Sequence, residues 1–226
     1  MKLFFLDAGT TWSKILEVET ESKEKKYSVI KTSEIKNLNI NFTLSTGHNS
    51  NKQKGSYENE AVALSYGSKY LNNALVLDLG SRDAKWIKFE SGSFKDMDWN
   101  TSCASATGAT IEMLLKFYEI KSSKLIPTKE KYPVTCGIFG LEKIMDDISK
   151  GLAPEIAISK FITGIAFNAY NFTKRPDEIY LSGGFCENKC FIKSLNFFTK
   201  VIPLGRFLLV DGLYNIYKEK TTCRVL

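Results

Sequence analysis

Three short stretches of this chain carry the residue types that grip a phosphate. In Asp7-Ala8-Gly9-Thr10-Thr11-Trp12-Ser13-Lys14, a glycine without a Cβ lets backbone N–H groups approach an anion. Thr10 and Thr11 offer hydroxyls, Lys14 a positive charge, and Asp7 a carboxylate that can hold Mg²⁺ through water. Asp78-Leu79-Gly80-Ser81-Arg82-Asp83-Ala84-Lys85 repeats the arrangement: Asp-x-Gly, then a hydroxyl, then a lysine. Ser182-Gly183-Gly184-Phe185 follows a short apolar run. Two glycines there let the backbone lie flat against a ligand such as a purine, and the helix expected after Asn188 offers an N-terminus. Singly, each stretch is also what a plain turn looks like. Two of the first kind, each opening one half of the chain, suggest phosphates gripped from both sides.

A second chemistry belongs to cysteine. Five cysteines (103, 136, 186, 190 and 223) are too few and too odd in number for a disulfide framework. Cys103 and Cys136 each precede an expected helix. There the macrodipole and the free N–H groups favour a thiolate or an anionic iron–sulfur cluster. Two ligands per chain fall short of a four-cysteine site, but two chains related by a two-fold axis would complete one. Ordinary buried thiols, or a zinc site made of Cys103, Cys136, Cys186 and Cys190, are the competing arrangements. His48, the only histidine, lies in a polar loop and reads as a surface residue.

The elements that must position these residues come in two similar halves. Lys2–Leu6 reads as a buried strand, followed by extended stretches at Ser13–Glu19 and Tyr27–Thr32 around a charged tip. Leu38, Ile40, Phe42 and Leu44 alternate with strand period, and a helix is expected over Glu58–Leu71, carrying Glu60. The second half opens with the strand Ala74–Leu79, then Asp83–Phe89 and Phe94–Met97. Helices follow at Thr107–Ile120, Ile138–Lys150 and Pro154–Phe172. A strand at Glu178–Leu181, a strand at Phe207–Val210 and a helix at Leu213–Glu219 close the chain. Strands then helix, twice over, predict two α/β lobes with a cleft between them. The first lobe covers 1–73, with a C-terminal helix within 211–226 a candidate to return to it; the second covers 74–210.

Composition bounds the rest. The 226 residues are 43% hydrophobic and 25% charged, ordinary globular usage. The apolar opening Leu3–Leu6 is too short for a membrane span or a signal-peptide core, so a cytoplasmic protein with no membrane partner is expected. A net charge of +6 is spread along the chain without the stripe that a nucleic-acid binder shows, and none is expected as a partner.

In their order, the three turns resemble those of the actin-like ATPase superfamily, an α/β, two-lobed, duplicated RNase H-like fold with a central nucleotide cleft. With the cysteines added, the chain looks like the BadF/BadG-type ATPases, activators of 2-hydroxyacyl-CoA dehydratases. Asp7–Lys14 resembles that family's DxGSTxSK turn, and Thr46-Gly47-His48-Asn49-Ser50-Asn51 its TGYGRN-like loop. Asp78–Lys85 resembles DIGGQDxK, and Gly183-Gly184-Phe185-Cys186-Glu187-Asn188 resembles GGVAxN. Cys103 falls on the cysteine of NxxCAAGTG and Cys136 on the second cluster cysteine. The chain departs from the pattern at Ser81, Arg82, Ala106, Leu141 and Lys143.

The resemblance implies an ATP-dependent one-electron donor that works anaerobically. Asp7 and Asp78 would position Mg²⁺. Gly9, Thr10, Thr11, Lys14, Gly80, Ser81 and Lys85 would hold the phosphates of ATP or ADP, and Gly183, Gly184 and Asn188 the nucleoside. Glu60 would orient the attacking water. Cys103 and Cys136 would bind one 4Fe–4S cluster per homodimer. A ferredoxin or flavodoxin would be the donor, and a dehydratase-like or double-cubane iron–sulfur protein the acceptor. A small-molecule kinase of the same superfamily and a non-redox nucleotide-dependent interaction protein are the alternative functions.

Overall fold

The computed structural model describes residues 1–50, 55–100, 108–134 and 137–222, with the side chains of 137–139 left aside. Cys103, Cys136 and Cys223 therefore lie outside the described residues. The chain divides into two compact units, one made of 1–73, 87–96 and 206–226, the other of 74–86 and 97–205.

The first unit is built on a five-stranded sheet. Its strands are β1 (Lys2–Ala8), β2 (Trp12–Glu19), β3 (Lys25–Lys31), β4 (Leu44–Thr46) and β5 (Ser56–Tyr57), in the order β3-β2-β1-β4-β5. β1 and β2 form a hairpin, with Asp7 opposite Lys14, and β4 runs parallel to β1 with Thr46 beside Asp7. The helix α1 (Glu60–Ser68) is capped by Asn59, whose side chain accepts from the Ala61 N–H. It packs on α6 (Leu208–Thr222) at very short range: a Cβ on Gly212 would collide with the Ala63 carbonyl, and one on Gly67 with that of Leu208. Only glycine lets the two backbones approach so closely.

The second sheet has the order β10-β9-β6-β7-β8. Its strands are β6 (Ala74–Leu79), β7 (Ala84–Glu90), β8 (Ser93–Asn100), β9 (Glu178–Ser182) and β10 (Lys200–Gly205). Taken from β8, it repeats the first sheet strand for strand, so the duplication read from the sequence is a duplication of topology. β9 runs parallel to β6, and Ser182 stands beside Asp78 as Thr46 stands beside Asp7. The helices are α2 (Gly108–Phe117), α3 (Gly137–Ser149), α4 (Pro154–Phe172) and α5 (Lys189–Leu195). α4 starts with proline at its first turn and buries Ile158, Phe161, Ile162 and Ile165 in the core of this unit, as its spacing predicts.

Two sequence expectations are corrected. Leu38, Ile40 and Phe42 form no strand; Thr32–Asn37 is a 3₁₀ turn, and the segment after it packs with Ile35 against Leu6, Ala8 and Ile15. Alternating burial is what a strap across a sheet needs as well as what a strand needs. Phe207–Val210 forms no strand: Leu208, Leu209 and Val210 are the first residues of α6. The closing strand is β10, which carries Pro203; proline is tolerated there because β10 lies at the sheet edge.

Candidate functional site

Each unit presents an Asp-x-Gly turn between a buried strand and its hairpin partner. In the first, the Lys14 Nζ donates to Asp7 Oδ2 at 2.8 Å, and Asp7 is 3% exposed. The carbonyl of Gly9 is held by the Thr32 hydroxyl at 2.8 Å and the Asn49 amide at 3.1 Å. Gly47 has φ +95°, and a Cβ there would lie 2.6 Å from the Ala8 carbonyl. The Thr46 hydroxyl donates to the Glu58 carbonyl at 2.8 Å, which fixes the chain that begins α1. Glu60, the first residue of that helix, is buried at 7% exposure, unlike an ordinary solvated helical glutamate. Thr10 is exposed and Thr11 half-buried, while His48 is exposed as expected.

In the second unit, the Lys85 Nζ lies 3.4 Å from Asp78 Oδ2 and 3.7 Å from Asp83 Oδ1. Asp78 and Lys85 are buried, and Ser81 is half-buried. The glycine pair joins this turn. Gly183 has φ +90°, and a Cβ on it would lie 2.5 Å from the Leu79 carbonyl and 3.0 Å from Asp78 Oδ1. The structure thus brings the second and third stretches together around one carboxylate. Gly183 against Leu79 reproduces Gly47 against Ala8, an equivalence the sequence reading missed. Among the described residues, a Cβ on Gly184 would meet nothing within 4 Å, which leaves room for a ligand on that face. The buried Ser182 hydroxyl has no hydrogen-bond partner among the described residues. Buried hydroxyls normally find one, and a ligand atom or a water beside Asp78 would supply it. These features fit a Mg²⁺–nucleotide.

Asn188 caps α5, its Oδ1 accepting from the Phe191 N–H at 3.0 Å, so it has a structural task at the position foreseen for the nucleoside. Sequence reasoning also passed over Asn49 and Thr32, which fix the first turn, and Asp83 and Trp99, which fix the second. Asn49 lies within the loop already compared with TGYGRN and Asp83 within the stretch compared with DIGGQDxK; Thr32 and Trp99 carried no signal.

The described cysteines do not suit a metal. The Cys186 Sγ donates to the Leu181 carbonyl at 3.0 Å, and burial pushes its thiol from 9.0 up to about 12. Cys190 is buried, and its thiol is raised for the same reason. No group of three or more His, Cys, Asp or Glu residues that could hold a metal occurs among the described residues. No helix among them is long and apolar enough to cross a membrane.

Paired sheets of one topology, each with an Asp-x-Gly turn, define an actin-like ATPase fold. Within that fold, the chain is similar to proteins named as activators of 2-hydroxyacyl-CoA dehydratases. It is 25% identical to the (R)-2-hydroxyglutaryl-CoA dehydratase activating ATPase of Acidaminococcus fermentans over 174 residues, covering 71% of this chain and 67% of the relative. It is 22% identical to the activator of lactoyl-CoA dehydratase of Anaerotignum propionicum over 200 residues, covering 81% and 77%. The solved activator of the 2-hydroxyisocaproyl-CoA dehydratase from Clostridium difficile, with bound ADPNP, superimposes with a TM-score of 0.80. That match has 17% identity and covers 100% of this chain and 98% of that one. No protein-family model matches the chain.

Proposed function

We propose that this chain is an ATP-dependent activator of a 2-hydroxyacyl-CoA dehydratase or of a related double-cubane iron–sulfur protein. The observation that carries the reading is the repeated turn, a buried aspartate with a lysine seven residues on in each unit. In this reading Asp7 and Asp78 orient the waters of Mg²⁺. Lys14, Lys85, the hydroxyls of Thr10, Thr11 and Ser81, and the backbone at Gly9 and Gly80 bind the phosphates. Gly183 and Gly184 lie against the nucleoside, near Asn188. Glu60 orients the attacking water and accepts its proton, a task suited to a carboxylate withdrawn from solvent. The lobes are 1–73 with the helix within 211–226, and 74–210.

Cys103 and Cys136 are assigned to a 4Fe–4S cluster shared by two copies of the chain in the cytoplasm. Their place in the motifs and the kinship with named activators support this assignment. When bound, the cluster would hold one electron, received from a ferredoxin or flavodoxin and destined for the acceptor.

Anaerobic purification tests the reading. A brown protein with about four irons per dimer, both colour and iron lost in Cys103→Ser, is expected. A colourless, iron-free protein after anaerobic reconstitution overturns the redox part. ATP turnover that survives Asp7→Ala overturns the placement of the nucleotide.

A further inference from the structure

The indole N–H of Trp99 donates to Asp83 Oδ2 at 2.8 Å. The other oxygen of that carboxylate, Oδ1, faces the Lys85 Nζ at 3.7 Å, and the same ammonium lies 5.1 Å from the centre of the Trp99 ring. Lys85 is therefore shared between two carboxylates, Asp78 and Asp83, and an aromatic face. Rotating Asp83 would change that division. A carboxylate 3.7 Å from a buried ammonium helps to hold it in place, and the indole fixes where that carboxylate stands.

We infer that Trp99 is a positioning residue for the second phosphate turn. It fixes the Asp83 carboxylate, so that Lys85 stays directed to Asp78 and to whatever phosphate Asp78 helps bind. The inference rests on the nucleotide reading above. In the first turn Trp12 stands where Asp83 stands in the second, Lys14 pairs with Asp7, and the Gly9 carbonyl is held by Thr32 and Asn49. The same second turn also receives the start of α2, through the N–H groups of Gly108 and Ala109 to the carbonyls of Gly80 and Ser81 at 3.3 and 3.2 Å. Among the described residues, Trp99 on one side of 101–107 and the N–H groups of Gly108 and Ala109 on the other tie the chain to the turn.

The test is a double-mutant cycle on Mg²⁺–ADP affinity, measured by titration calorimetry. Trp99→Phe and Asp83→Asn should each weaken binding by about tenfold, the scale of one hydrogen bond to a charged group. The double variant should be no weaker than the worse single variant, since both changes remove one interaction. Trp99→His, which keeps a ring N–H, should recover part of the loss, and circular dichroism should show every variant folded. Wild-type affinity in Trp99→Phe, losses that multiply in the double variant, or a histidine variant no better than phenylalanine would overturn the inference alone. A variant that does not fold leaves the decision to Asp83→Asn with Trp99→His, whose losses must likewise fail to multiply. A wild-type chain that binds no nucleotide would overturn the functional reading, and this inference with it.

Discussion

The Lys85 ammonium lies 3.4 Å from the Asp78 carboxylate inside the second unit, at the seven-residue spacing that brings Lys14 to 2.8 Å from Asp7 in the first. Repetition of a buried ion pair at two strand ends is costly unless something uses it, because desolvation offsets much of the Coulomb gain.

Removing one partner from such a pair should therefore expose the cost. Asp7→Asn leaves the Lys14 charge without its carboxylate where the lysine side chain is only 13% exposed. A loss of about 3 kcal/mol in urea unfolding is expected, together with loss of ATP turnover. A fully stable variant that still turns over ATP would contradict both parts.

The adjacent glycines should separate fold from function. Gly183→Ala puts a Cβ at φ +90° and 2.5 Å from the Leu79 carbonyl, which should lower stability by about 1–3 kcal/mol. Gly184→Ala places its methyl where no described residue comes within 4 Å, so stability should stay within about 0.5 kcal/mol. If that space is where the nucleoside lies, Gly184→Ala weakens nucleotide binding while its melting temperature stays put. Equal effects from the two substitutions would count against the assignment.

Glu60→Gln keeps the shape of a buried side chain and removes its basicity. Steady-state turnover should fall by about 100-fold, with nucleotide affinity nearly unchanged. A fall in affinity without a fall in the limiting rate would move Glu60 from water activation to binding.

Alkaline stability reports the buried thiol. The folded Cys186 holds its proton up to about 12 against an ordinary 9.0, so its contribution is fully present below pH 9 and disappears as pH rises through 12. Burial, and then the hydrogen bond to Asp147, raises Tyr132 in the same direction. Unfolding free energies from urea titration should fall between pH 9 and 11, by about 1.4 kcal/mol per pH unit for each group titrating. Cys186→Ala should flatten the slope. Iodoacetamide at pH 8 should label Cys186 in the unfolded chain and spare it in the folded one.

Much of this architecture is legible in the residues themselves. Asp7-Ala8-Gly9 and Asp78-Leu79-Gly80 follow apolar runs, and local sequence alone marks both as strand ends. The pairing of each aspartate with the lysine seven residues on follows from hairpin register, which a tight turn fixes. What escaped depends on separation along the chain. The match between Thr46-Gly47 and Ser182-Gly183 is hidden because the second half inserts α2, α3 and α4 before its parallel strand. The Trp99–Asp83 contact crosses a hairpin, where no periodicity records which side chains face each other. The apolar alternation at 38–42 states that alternate residues are buried and does not say whether a neighbouring strand pairs with them.

The close seat of Gly212 on Ala63 bears on how the molecule is made. Phe5, near the beginning, has its ring 5.5 Å from Tyr214 and 5.8 Å from Tyr217 of the last described helix. A ribosome delivers Phe5 many seconds before those tyrosines emerge, at about 5–20 residues per second. Residues 74–205 are complete in the meantime, so the half synthesised later can mature earlier. The opening sheet waits with an uncovered greasy flank, and that interval is when a nascent chain of this design most needs an escort.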